Sequence, residues 1–285
     1  MTPTNVRHPV ASPPPLVLVD GLNLLWRAAY GFPARIRDGD GNDVTPAFGF
    51  FALLRKAIRG LSPCEAVVVF DGEGSSDARV EVAPDYKANR AGADYSHLAW
   101  LPTIYTGLRT IGLDFDETTD AEADDVIARL VRGASATRSR VIVSTDRDFY
   151  QLIEDHVVIA NTMRKTGEQI VDAAEVRTRF GVEPWQWCDY MALVGDTSDN
   201  IPGVRGIGPK RAAAALAGGH TLDNLNGVVS QAWWGRYLDG VLPEALKARD
   251  LIRLAPDVQT SIRITGRPSQ PLPLAAELLR TLGVW

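Results

Sequence analysis

The sequence predicts an α/β protein in which a parallel-type central sheet is flanked by helices. Three observations carry that prediction. Short apolar runs recur through roughly the first 180 residues and alternate with helix-like patterns, the order expected when strands are joined by helical crossovers. The runs are nearly continuous in apolar residues, as strands buried on both faces are. Beyond Val182-Glu-Pro184 the composition changes and the chain reads mainly as helix.

The elements follow in order. Met1 to Pro15, with its Pro-rich tract from Pro9, reads as a flexible tail ahead of a core over residues 16–183. Leu16–Asp20 is a strand. Ala47–Gly60 is a helix, because Phe48, Phe51, Leu54, Ile58 and Leu61 recur at three- and four-residue spacings. Ala66–Asp71 is a strand, and Pro102–Ile111 and Ala121–Val131 are helices. Thr118-Thr-Asp-Ala-Glu122 supplies capping candidates for the second of these. Val141–Thr145 and Val157–Ala160 are strands. Residues 72–99 are polar, glycine-rich and basic, and so long a connection inside a compact domain is usually functional. It is expected to form a mobile arch or lid at the sheet's carboxyl edge. In the helical region over 184–285, Trp185–Val194 and Pro209–Leu216 flank a glycine-rich turn, with proline in the first turn of the second helix, where no N–H is needed. Trp233, Trp234 and Trp285 are read as packing residues.

Bulk properties exclude several classes. The apolar fraction of 45% and charged fraction of 23% are those of a soluble globular chain. No run of about 18 apolar residues exists, so no membrane span is expected. No apolar signal core is present, and the cytoplasm is the expected location. Cys64 and Cys188 lack metal spacing, so neither a zinc site nor a disulfide framework is implied. The net charge of −5 opposes nucleic-acid binding only weakly, because the field at a binding face depends on local charge. The basic residues do cluster, as Arg79, Lys87 and Arg90, and as Arg205, Lys210 and Arg211.

Nine acidic residues stand in five short clusters: Asp20; Asp71; Glu122, Asp124 and Asp125; Asp146 and Asp148; Asp196 and Asp199. Asp20, Asp71 and Asp146 follow apolar runs, which places them at the carboxyl ends of parallel strands, where open α/β sheets bind ligands. Glu122 and Asp125 are three residues apart and share a helix face, with Asp124 one position round. So many carboxylates converge only if cations neutralise them. A donor set of carboxylates and waters suits magnesium or manganese. The bland alternative for any single member is a cap or turn residue. The glycine-rich turn Gly203-Val-Arg-Gly-Ile-Gly208 suits close approach of backbone to phosphate, and the helix start behind it offers free N–H groups.

Taken together, certain segments resemble the 5′-nuclease superfamily, which holds the 5′ nuclease domain of bacterial repair DNA polymerases and the flap endonucleases. They are Leu18-Val-Asp20-Gly-Leu-Asn-Leu-Leu-Trp-Arg27, Phe70-Asp71, Arg79, Tyr86-Lys87-Ala-Asn-Arg90, Glu122-Ala-Asp-Asp125, Ser144-Thr-Asp-Arg-Asp148-Phe-Tyr-Gln-Leu152 and the block from Gly195 to Lys210. Trp26 stands where that family more usually has tyrosine, which is read as a packing change. The resemblance implies a PIN-like core with a helical arch at about 72–99 and a helix-three-turn-helix element at about 186–217. It also implies a stand-alone, monomeric nuclease acting on DNA with a 5′ flap, nick, gap or recessed 5′ end, with RNA-primed DNA a compatible substrate.

The implied roles are these. Two divalent metals, Mg2+ or Mn2+, would be held by Asp20, Asp71, Glu122 and Asp124, and by Asp146, Asp148, Asp196 and Asp199. Asp125 would stand nearby, and a third metal near Asp125 and Asp148 stays open. Lys87 and Arg79 would meet the scissile phosphate, with Arg90 beside them. Tyr86 would either stack on a terminal base or pack. Gly203, Gly206, Gly208, Lys210 and Arg211 would contact duplex backbone. The carbonyls of Val204 and Ile207 would hold a monovalent cation such as K+. A PIN-type ribonuclease would explain the carboxylates but not the glycine turn. An inert module for branched DNA would show a damaged acidic set.

Overall fold

The computed structural model describes residues 13–165, 167–225, 235–255 and 257–285. Trp233 and Trp234, and all but the last three residues of the expected tail, lie outside the described residues. In chain order the elements are β1 (Leu16–Asp20), α1 (Gly21–Gly31), α2 (Thr45–Arg59), β2 (Glu65–Asp71), α3 (Asp77–Val82), α4 (Leu101–Thr110), β3 (Asp114–Thr118), α5 (Ala123–Gly133), β4 (Arg140–Val143), β5 (Val157–Ala160), β6 (Ile170–Val171), α6 (Ala173–Phe180), α7 (Trp187–Val194), α8 (Pro209–Leu216), α9 (Leu222–Leu225), α10 (Gly235–Leu238), α11 (Leu242–Ile252) and α12 (Ala275–Thr281).

The strands form one sheet in the order β3-β2-β1-β4-β5-β6. All neighbours are parallel except the short β5–β6 pair. Strand order reverses at β1, so the ligand crevice of such a sheet opens between the carboxyl ends of β1 and β4. Successive side chains alternate between two cores. Leu16, Leu18, Val67, Val69 and Ile142 pack with α5 and the helices that follow it. Val17, Val19, Val68, Phe70, Val141 and Val143 pack with α1, α2, α4 and α12. The same alternation carries Asp20, Asp71 and Ser144 onto the α5 side. Removing a fully buried member such as Leu18 (→Ala) would cost about 2–5 kcal/mol.

Several expectations are corrected. β3, Asp-Phe-Asp-Glu-Thr, gives no apolar run because it is an edge strand whose side chains are largely in contact with water. Thr118 does not cap α5. Its hydroxyl donates to the carbonyl of Ala121 at 2.6 Å, while the Ala123 N–H donates to Asp71 Oδ1 at 2.7 Å. The helix start is therefore satisfied from the end of β2. Within α2, Phe50 is fully buried and Phe48 only half so, which shifts the apolar face by part of a turn. The region after α11 is not continuously helical. Its extended stretch is tied back to the sheet by Ser269, which donates its N–H to the carbonyl of Cys64 and accepts from the Ala66 N–H at 3.0 Å. Trp285 packs its ring against Phe48 at 5.2 Å, as a packing residue should.

Residues 72–99, the expected arch, hold α3 and 3-10 turns at Ala88–Arg90 and from Ser96. They are stitched to the 196–200 loop. Lys87 N–H donates to the Asp199 carbonyl at 3.0 Å, Asn89 Nδ2 to Thr197 O at 2.7 Å, and Asn200 Nδ2 to Asp85 O at 2.8 Å.

Candidate active site

The carboxyl ends of β1, β2 and β4 meet the start of α5 and the arch at a cavity of about 500 Å³. Asp20, Asp71, Glu122, Asp124 and Asp146 line it, with Lys87 and Arg90 on the arch side. Asp20 caps α1 through Asn23 N–H at 3.1 Å and accepts from the Ser144 hydroxyl at 2.8 Å. Ser144 Oγ in turn accepts the Asp146 N–H at 3.0 Å, and Asp146 Oδ1 accepts the Asp148 N–H at 2.9 Å. Asn23 also clasps Thr145, accepting its N–H at 3.0 Å. This relay fixes the β1 and β4 carboxylates against each other. Asn23 and Ser144 went unassigned in the sequence because neither carries charge, although both sit inside segments that carry the family resemblance.

The carboxylates repel one another. Burial, then the charge of Asp71, pushes Asp20 up to about 7 despite its hydrogen bonds. Burial likewise raises Asp71, Asp124 and Asp146. Asp148 is held well above the usual carboxylate range by burial and then by the charges of Asp146, Asp199, Asp124 and Asp196. Buried Asp148 Oδ1 has no hydrogen-bond partner, and Asp124 Oδ1 has only the Arg79 guanidinium, at 3.6 Å. An orphaned buried carboxylate oxygen is costly unless something positive meets it.

The arch supplies positive charge. Lys87 Nζ reaches Glu122 Oε1 at 2.7 Å, and Arg79 reaches Glu122 at 2.5 Å and Asp125 at 2.9 Å. Arg90 pairs with Asp199 at 2.6 Å. Burial works against charge on Lys87, but Glu122 and Asp199 outweigh it and keep the ammonium protonated. Lys87 sits at φ 55°, the left-handed region, which costs a non-glycine residue on the order of 1–3 kcal/mol. Tyr86 is buried, and its hydroxyl donates to Glu122 Oε2 at 3.1 Å and Asp199 Oδ2 at 3.2 Å, so it packs rather than offering a face to a base. Asp125 does not join the cavity. It faces Arg79 and accepts the Ala255 N–H at 2.7 Å. Asp196 closes its own loop, accepting from Ser198 N–H at 2.7 Å. Among the described residues no three His, Cys, Asp or Glu side chains are already drawn round one point. With Glu122, Asp125 and Asp199 held by the arch cations, that spread is what mutual repulsion dictates. The donor set, all carboxylate with the Asp148 Oδ1 oxygen orphaned, fits a hard divalent cation.

The glycine turn follows the 196–200 loop and lines a second cavity, together with Ala83 to Tyr86 of the arch. Gly203 passes so close to the end of α7 that a Cβ there would lie 2.3 Å from the Val194 carbonyl. Gly206, at φ +87°, abuts the ring of Tyr237. Gly208 precedes α8 in open space and gives it no side-chain cap. Lys210 and Arg211 are exposed, and Arg211 Nη1 donates to the Gly206 carbonyl at 2.6 Å. The Val204 carbonyl accepts the Ile207 N–H at 2.9 Å and keeps a lone pair, while the Ile207 side chain is buried beneath the turn.

Residues 15–181 match the model of the 5′-3′ exonuclease N-terminal resolvase-like domain, and residues 182–272 that of the 5′-3′ exonuclease C-terminal SAM fold. The chain belongs to the 5′-3′ exonuclease family. It is 33% identical over 211 residues to a 5′-3′ exonuclease of Aquifex aeolicus, covering 74% of this chain and 71% of that one. It is 38% identical over 217 residues to DNA polymerase I of Deinococcus radiodurans, covering 75% of this chain but 22% of the relative. The chain thus spans about a quarter of the length of the polymerase relatives it matches. In structure it is similar to the bacteriophage T5 D15 flap endonuclease solved with DNA and metal ions, with TM-score 0.67 and 23% identity over 85% of this chain and 89% of that one. It is also similar to the catalytic core of Rad2 in complex with DNA substrate, with TM-score 0.60 and 18% identity over 96% and 90%. At these identities the structural likenesses establish the shared fold. Among the described residues no helix is long and apolar enough to cross a membrane, and Cys64 and Cys188 are free and buried.

Proposed function

We propose that this exonuclease-family protein hydrolyses DNA phosphodiesters near single-strand/double-strand junctions, as a 5′-3′ exonuclease and 5′-flap endonuclease. The observation that carries the reading is the gathering of carboxylates from the ends of β1, β2 and β4 and the start of α5 round one cavity, with Lys87 and Arg90 on its arch side and the nearby Asp148 Oδ1 buried without a hydrogen-bond partner. Two divalent ions, Mg2+ or Mn2+, held by Asp20, Asp71, Glu122 and Asp124 and by Asp146, Asp148, Asp196 and Asp199, would activate water and offset charge on the phosphate.

The chain's own groups do the rest. Lys87 and Arg90 line the cavity as cations and meet the scissile phosphate. Arg79, tied to Glu122 and Asp125, holds α5 and the arch in register. Gly203, Gly206 and Gly208 bring backbone to duplex phosphates, and Lys210 and Arg211 add charge. The carbonyls of Val204 and Ile207 hold a monovalent cation against the same strand. Contacts of this kind read phosphates, so selectivity is for structure rather than sequence.

The test uses labelled 5′-flap and blunt duplexes with Mg2+, Mn2+ or chelator. Metal-dependent cuts at the flap junction are expected. Binding without cleavage under every metal would reject the enzyme reading, and cleavage of single-stranded RNA alone would reject the DNA substrate.

A further inference from the structure

The last carbonyls of α11 find their partners among the residues round the carboxylates. A helix leaves its final C=O groups without an intrahelical partner. The Leu251 carbonyl accepts from Arg79 Nε at 3.3 Å, and the Ile252 carbonyl accepts from Gln151 Nε2 at 3.0 Å. Just past the helix, the Leu254 N–H donates to Gln151 Oε1 at 3.0 Å and the Ala255 N–H to Asp125 Oδ1 at 2.7 Å. Ile252 and Leu254 are buried, so their backbone groups need protein partners. One short stretch of chain thus ties down Arg79 of the arch, Asp125 of α5 and the turn after β4.

Gln151 is the centre of this clasp. Its Nε2 also donates to the Asp148 carbonyl at 2.8 Å, and its Oε1 also accepts from Cys188 Sγ of α7 at 3.2 Å. A side-chain amide has two N–H donors and two acceptor lone pairs, and all four are used. The turn that carries Asp148 is therefore pinned to α7 and α11 at once. Asp148 depends on that hold. Its Oδ1 has no hydrogen-bond partner, and the charges of its acidic neighbours push on it. Its place is set by its backbone, whose N–H is held by Asp146 and whose carbonyl is held by Gln151.

We propose that Gln151 is a positioning residue for the divalent-metal site, holding the Asp148 turn on the end of α11 so that the helical region completes the carboxylate set built by the sheet. The proposal rests on the reading above, in which Asp148 holds a divalent ion. Partners that orient metal-ligating groups typically matter about 10–100-fold in metal affinity or activity.

The experiment titrates Mg2+ against wild type, Gln151→Glu, Gln151→Ala and Ser269→Ala, following both Tm and cleavage of a labelled flapped duplex. Gln151→Glu keeps the acceptor for Leu254 but sets an oxygen against the Asp148 and Ile252 carbonyls. Ser269→Ala removes a tie between the C-terminal stretch and β2 at Ala66, away from the carboxylates, and controls for lost stability. Both Gln151 variants should need about 10–100 times more Mg2+ to reach half the rise in Tm and half the maximal rate. Their KM for DNA at saturating Mg2+ and their duplex affinity in chelator should match wild type. Ser269→Ala should lose stability yet keep the wild-type Mg2+ dependence. Gln151 variants that melt earlier but keep the wild-type Mg2+ midpoint would overturn the proposal and leave the clasp purely structural. An equal shift in Ser269→Ala, or a wild type whose Tm ignores Mg2+, would overturn it too. A wild type whose Tm rises with Mg2+ but that cuts no DNA would remove the nuclease reading, and the Tm titration would then decide the clasp alone.

Discussion

The two ends of β2 carry two acids in opposite circumstances. Glu65, at the amino end, is buried and fully satisfied. It accepts from Arg138 at 2.6 Å, from Thr265 N–H and hydroxyl at 2.5 and 2.7 Å, and from Gly266 N–H at 3.0 Å. Burial opposes its ionisation, but these bonds outweigh burial and hold it below the usual range. Asp71, at the other end of this seven-residue strand, is raised by burial, with one N–H and the more distant Lys87 and Arg90 to offset it. The first acid staples the C-terminal strap to the sheet. The second belongs to a set whose charges have nowhere to go. A carboxylate that serves the fold has its lone pairs filled by the fold, and one that serves chemistry leaves them for something else.

That contrast can be broken at several points. Glu65→Ala leaves Arg138 buried and unpaired, and should destabilise the protein by about 3–5 kcal/mol in denaturant melts. A loss below about 1 kcal/mol would mean that the strap is not held there. Acids at the two edges of the sheet should also answer pH in opposite senses, as Asp20 at the carboxyl end of β1 and Glu65 at the amino end of β2 show. Asp20 titrates at about 7 folded against an ordinary value of 3.8, so its share of stability is present below pH 3.8 and is lost as pH rises towards 7. Glu65 is depressed, so its share is present above its ordinary value of 4.5 and is lost as pH falls. In chelator, Asp20→Asn should flatten the decline between about pH 4 and 7, worth about 4 kcal/mol at most. An unchanged slope in that variant would show that Asp20 is not strained.

Lys87→Ala should lower the cleavage rate about 10²–10³-fold with a smaller change in substrate affinity. A pure affinity loss would refute its role at the phosphate. Lys210→Ala should mainly weaken duplex binding and reduce the salt slope by about one unit. An identical slope would remove it from the duplex face.

Much of this was legible in the sequence. Apolar runs ending in aspartate marked β1 and β2, because a parallel sheet covered on both faces demands such runs. The spacing of Glu122, Asp124 and Asp125 marked the start of α5, yet it did not show that Asp125 turns away to Arg79 and Ala255, since helical spacing fixes a face only to within a turn. β3 was illegible because an edge strand in water keeps polar residues. The Glu65–Arg138 pair and the strap were illegible because their partners lie 73 and about 200 residues apart in the chain.

The most direct test of the strained carboxylate set is the melting of Asp148→Asn, with chelator and with Mg2+. Removing the charge on which Asp146, Asp199, Asp124 and Asp196 act should leave the variant at least as stable as wild type in chelator. It should also shrink the rise in Tm that Mg2+ gives wild type and abolish cleavage. A variant that is less stable in chelator yet keeps the full Mg2+ shift and the cleavage would mean that Asp148 serves the fold, as Glu65 does.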